Sequence, residues 1–144
     1  MNKLATIGYE TDTQGGMIGR LKAAGVELVV DVRAVASSRK AGFSKTLLGN
    51  SLKAEGVDYL HLRALGTPKP GRLAARAGRT EEMRAIFNAH LEEPEAQLAL
   101  AQATDLAKSR RIALLCYEDD PNCCHRAIVA DRIRETLKCE IVNL

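Results

Sequence analysis

A chain of 144 residues, 46% apolar and 27% charged, has an ordinary globular composition and is long enough to bury a sizeable core. No stretch approaches the ~18 consecutive apolar residues of a membrane span, and MNKLATIGYE lacks the apolar region of a secretory signal, so a cytoplasmic location is expected. A net charge of +3 is too small to imply nucleic acid by itself.

Short apolar runs alternate with helical patterns, which predicts crossover units on a mostly parallel sheet. Strands are expected at Leu4–Gly8, Glu27–Val32, Asp58–Leu62, Ile112–Leu115 and Glu140–Asn143. Helices are expected at Gln14–Ala24, stopped by Gly25, and at Ser44–Glu55, ended by Gly56. The segment Gly66 to Gly78, rich in Gly, Pro, Arg and Ala, reads as a long loop with about one helical turn, and such loops are often functional. Thr80 is expected to cap a further helix, and Pro94 to start another that runs to about Lys108. The order predicts an α/β fold: a single doubly wound three-layer domain, residues 1–144, around about five mostly parallel strands.

Ligands of such sheets bind beyond the carboxyl ends of the strands. Tyr9 and Glu10 follow the first strand here, Asp31 and Arg33 end the second, and His61 and Arg63 end the third. Tyr117, Glu118 and a Cys-Cys-His-Arg run at 123–126 follow the fourth. Two segments without acidic residues, one holding Arg33, Arg39, Lys40 and Lys45 and one holding Arg63 to Arg79, spring from the same edge. A common pocket is therefore expected there.

The run Arg111 to Val129 carries most of the chemistry. Asp119, Asp120 and Asn122 offer capping oxygens and Pro121 suits a first helical position, so Cys124, His125 and Arg126 are expected in a first helical turn, where free N–H groups and the dipole favour anions. In that setting the Cys124 thiol should have a lowered pKa and act as a nucleophile, against the commoner role of a buried structural thiol. Arg126 shares a helical stripe with Val129, Ala130 and Ile133 and should face the sheet, as an anion binder or as the partner of Asp31 or Glu118. His61 and Glu118 are candidate acid/base groups, Asp31 a group that orients His or Arg, and His125 an acid/base, orienting or capping residue. Tyr9, Arg33 and Arg39 complete the expected binding set. Neither Cys123 nor Cys124 has arginine five residues on, which disfavours a phosphatase-type loop. Cys116, Cys123, Cys124, His125 and His61 lack the paired spacing of a structural zinc site, so no metal is expected.

Four stretches in this order, TIGYE in the first strand, VVDVRAVASSRKAGFS at 29–44, YLHLRALGTPK at 59–69 and LLCYEDDPNCCHR at 114–126, resemble the uncharacterised domain-of-unknown-function 488 family of bacteria and archaea. The resemblance implies an α/β fold and a shared site without an established activity. It carries over Asp31, Arg33, Arg39, Phe43, His61, Leu65, Gly66, Glu118, Cys124, His125 and Arg126. Cys123 is extra to the family pattern, and Arg63 stands where similar sequences often have proline.

Three functions fit these residues. The first is a small enzyme acting on a phosphorylated or other anionic substrate. The second is a nucleic-acid-binding or nucleic-acid-processing protein that uses the basic segments, against which stands an aromatic share of only 3%. The third is a module that senses an anion without turnover. No cofactor, oligomeric state or membrane partner is indicated.

Overall fold

The computed structural model describes residues 3–144. Five strands, β1 (Lys3–Gly8), β2 (Leu28–Asp31), β3 (Asp58–His61), β4 (Ile112–Cys116) and β5 (Glu140–Asn143), form one all-parallel sheet in the order β3-β2-β4-β1-β5. The central strands are unbroken apolar runs, as strands covered on both faces require. Helices α1 (Gln14–Ala23) and α2 (Lys45–Ala54) cover one face through Met17, Leu21, Leu48 and Leu52. Helices α3 (Lys69–Arg76), α4 (Thr80–Leu91), α5 (Pro94–Ser109) and α6 (Arg126–Leu137) cover the other through Ala74, Phe87, Ala103 and Ile133. The result is a doubly wound, three-layer α/β fold. Among the described residues no helix is long and apolar enough to cross a membrane.

This order follows from right-handed crossovers. The connections β1 to β2 and β2 to β3 step toward one sheet edge behind one helix layer, and those to β4 and β5 step back behind the other. Strand β4 thus lies between β1 and β2, whose outgoing connections take the opposite face, the arrangement at which ligands of such sheets bind. Two glycines let the loops at this edge touch. A Cβ on Gly8 would lie 2.0 Å from the Glu118 carbonyl oxygen, and one on Gly66 would lie 2.2 Å from the Ala34 Cα. The end of β1 is thereby seated against the loop after β4, and the loop after β3 against that after β2.

Two local expectations are corrected. Residues 69–76 form a helix, where a loop was expected from their Gly and Pro content. Pro70 falls in its first turn, where the missing N–H costs nothing, and Arg and Ala continue the helix well. The Cys-His-Arg run is not a single helical turn. Asp120 accepts from the Asn122 backbone N–H at 2.9 Å and opens a short 3-10 turn, Pro121–Cys123. Cys124 is then extended (φ −131°, ψ 144°), His125 is the N-cap, and only Arg126 lies within α6.

Candidate functional site

Strand alternation sends neighbouring residues to opposite faces, and it divides the predicted site into two clusters. Asp31 shares the side of Val29, facing α1 and α2. Cys116 shares the side of Ile112 and Leu114, facing α4 to α6.

Arg33 is the hub of the first cluster. Its Nε donates to Asp31 Oδ1 and Oδ2 at 2.9 and 3.0 Å, and its Nη2 donates to Oδ2 at 2.7 Å. Nη1 donates to the Tyr9 hydroxyl at 2.9 Å and to the Phe43 carbonyl at 2.7 Å. The Asp31 carboxylate is fully buried, and it also receives the Arg33 backbone N–H at 3.0 Å and the Tyr59 hydroxyl. Tyr9 stacks on Phe43 with ring centroids 4.3 Å apart and meets Tyr117 edge-on at 5.4 Å. Burial works against the Arg33 cation, but the bonds and charge of Asp31 outweigh it and hold its pKa above the ordinary value. Burial, then the neighbouring Asp31 charge, raises the Tyr59 pKa, and burial raises that of Tyr9 against the pull of Arg33.

The second cluster is built from the end of β4 and the approach to α6. The His125 ring is buried, with Nε2 at 2.7 Å from the Val32 carbonyl oxygen. A carbonyl only accepts, so Nε2 bears a proton, and in the neutral form of the ring Nδ1 is the bare nitrogen. That Nδ1 lies 3.8 Å from both the Cys116 Sγ and the Cys124 Sγ, and all three atoms fall within 4.8 Å of one another. Phe87 closes over the imidazole at 4.9 Å, edge to face. The Cys116 thiol also reaches Glu118 Oε2 at 3.3 Å. Burial, then the contact with Cys116, pushes the Cys124 thiol well above its ordinary pKa, opposite to the lowered value expected from a first helical turn. Burial opposes the His125 cation, but the facing Cys124 and the Val32 carbonyl outweigh it and raise its pKa.

Arg126 fastens the lid of this cluster. Its guanidinium is fully buried and donates to the Glu118 carbonyl and, at 3.0 Å, to the Asp119 carbonyl. No carboxylate pairs with it among the described residues, and its Nε–H has no partner. The acidic groups of the overlying loop are engaged elsewhere, Asp119 with Thr11 and Asp120 with the turn backbone.

The chain after β2 joins the two clusters. His125 holds the Val32 carbonyl, and His61, half-buried, holds the next one, that of Arg33, at 2.7 Å. The structure thus gathers Tyr9, Asp31 and Arg33 on one face, and Glu118, Cys124, His125 and Arg126 on the other. His61 ends the edge strand β3 and reaches the Arg33 carbonyl, and Arg39 is exposed on the loop after β2. His90 has a structural contact, its Nε2 lying 2.7 Å from the Ala64 carbonyl oxygen. Sequence reasoning did not single out Tyr59, and named Cys116 only in a metal set that it set aside. The period-two alternation of IALLC groups Cys116 with Ile112 and Leu114, and the strand order then sets that side against α6. Cys123 is exposed and turned to Asp120, with Sγ at 3.6 Å from Oδ2, outside the buried cluster.

A comparison with family models now bears on these residues. The model described as "Domain of unknown function DUF488" matches residues 15–133, which include both clusters except Tyr9. The chain belongs to this family. No curated protein and no solved structure matches it. The DUF488 match thus covers three of the five strands, the helices up to the middle of α6 and the whole Cys-x-Glu…Cys-His-Arg segment, without assigning them a reaction.

Proposed function

We propose that the protein is a small enzyme acting on a phosphorylated or other anionic substrate at the carboxyl edge of the sheet. Arg126 and the start of α6 receive the anion, and the Cys116–Glu118–Cys124–His125 cluster supplies the chemistry. One observation carries this reading: a fully buried guanidinium that meets only carbonyl dipoles and keeps one N–H unused. An uncompensated buried charge is costly, and a bound anion would supply both the missing charge and the missing acceptor. The exposed cations of the neighbouring loops, Arg39 and Arg63, would draw such a ligand to the mouth.

Thermal unfolding with inorganic phosphate, sulfate and a panel of phosphate esters tests the anion site. A ligand at a hundred times its Kd adds about 2.7 kcal/mol, which for this size raises Tm by several degrees. Arg126→Met should lose that shift while remaining folded. Equal shifts in Arg126→Met and the parent, or none in either, would remove the assignment. Turnover of any ester that shifts the parent, and its loss in Glu118→Gln, separates an enzyme from a module that only senses the anion.

A further inference from the structure

We infer that Cys116, Cys124 and His125 form a binding site for a thiolate-loving divalent metal ion, of which zinc is the natural occupant. Geometry carries this. Metal–sulfur bonds of about 2.3 Å and metal–nitrogen bonds of about 2.0–2.1 Å at tetrahedral angles require S···N separations of about 3.6 Å and S···S separations of about 3.8 Å. Both observed S···N distances are 3.8 Å, and the two sulfurs are no more than 4.8 Å apart. A closure of the two sulfurs by up to about 1 Å, shared between two side chains, would bring a cation into bond with all three.

The surroundings also match a ligand set. An imidazole that binds metal through one nitrogen usually donates its other N–H to a carbonyl or carboxylate, which fixes the ring and its tautomer. His125 does this with Val32. Phe87 blocks rotation of the ring from its side, and Leu114, Val129 and Ile133 provide a dry shell. Among the described residues no fourth ligand atom belongs to the set. Glu118, whose carboxylate reaches Cys116 at 3.3 Å but is not part of the set of three, stands beside it. Three protein ligands with one open corner are the pattern of catalytic rather than structural zinc. The open position would supply Lewis acidity or an activated water to the anionic substrate proposed above. Only this catalytic use rests on that proposal; the binding of metal does not.

The spacing had argued against metal because the two cysteines lie eight residues apart with no second pair. The fold closes that gap by ending β4 at Cys116 and holding Cys124 extended just before α6.

Reduced protein, stripped with a chelator and repurified, is titrated with cobalt(II) and separately analysed for zinc after reconstitution. One metal per chain and a thiolate-to-cobalt charge-transfer band are expected. The band should vanish in Cys116→Ser and Cys124→Ser, with zinc affinity reduced at least a hundredfold, and persist in Cys123→Ser and Cys139→Ser. Circular dichroism confirms that each variant is folded. Should either ligand variant fail to fold, X-ray absorption on the zinc-loaded parent decides, with two sulfurs and at least one nitrogen expected. Folded, reduced parent that takes up no metal, or that keeps the band without Cys116 and Cys124, would overturn the inference. The phosphate-induced shift of the stripped protein and its loss in Arg126→Met test the anion site separately, so either assignment can fail alone.

Discussion

Two buried arginines, Arg33 and Arg126, stand in opposite circumstances. Arg33 closes a complete circuit of a forked carboxylate, a phenol and a carbonyl. Arg126 is at least as deeply buried yet has two carbonyls, no carboxylate and one idle donor. The contrast teaches that burial of a charged residue does not by itself mark a site. What distinguishes a scaffold from a candidate binding group is whether the protein already satisfies it. Arg33 with Asp31 belongs to the scaffold that fixes the loops after β1 and β2, and Arg126 is the group left wanting a partner.

The largest effect should come from breaking the satisfied circuit. Removing one member of a buried pair leaves the other uncompensated, which typically costs 3–5 kcal/mol, about the whole margin of a modest domain. Arg33→Met should therefore unfold at much lower denaturant than the parent, whereas Arg126→Met, which leaves no carboxylate stranded, should change stability by about 1 kcal/mol or less. Urea midpoints of the two variants side by side measure this, and equal losses would erase the distinction.

A smaller effect is expected at Tyr59, whose hydroxyl donates to Asp31. Tyr59→Phe should cost about 1 kcal/mol near neutral pH. Its pH dependence has a definite sign. The folded state holds the phenolic proton more tightly than the unfolded chain, whose value is about 10.0. The stabilisation is thus complete below pH 10 and is lost as pH rises through the higher folded value. Tyr9 is shifted in the same direction. Melts between about pH 8 and about pH 11 should show the parent losing stability at the alkaline end and Tyr59→Phe losing less of it. The smallest effect belongs to Cys123→Ser, within about 0.5 kcal/mol, because that thiol is exposed and turned away from the buried sulfurs. A labelling assay on native protein should modify Cys123 first, and faster modification of Cys124 would contradict the burial described.

Much of this was legible in the residues. The apolar blocks LVV and IALL read as buried strands, Gly25 and Gly56 marked helix ends with φ of 71° and 79°, and the acidic turn before Cys-His-Arg announced the mouth. Helix α3 was hidden because Pro and Gly were read as loop formers, although Pro70 sits where helices tolerate it. The division of the site in two was hidden for a deeper reason. The position of β4 between β2 and β1 depends on pairings between distant segments, and only that order tells which side of the sheet Asp31 and Cys116 face. The orphaned Nε of Arg126 is likewise a property of the closed loop above it.

The placement of β1 has a consequence for how the chain is made. Among the described residues its neighbours are β4 and β5, both supplied by the last third of the sequence. While the polypeptide emerges from the ribosome, the opening apolar strand therefore has no ladder to join, and β2 and β3 alone can pair. Such distant closures slow assembly and leave an adhesive strand waiting. A fragment cut before Ile112 should therefore stick to its own copies or to a chaperone through the unpaired β1.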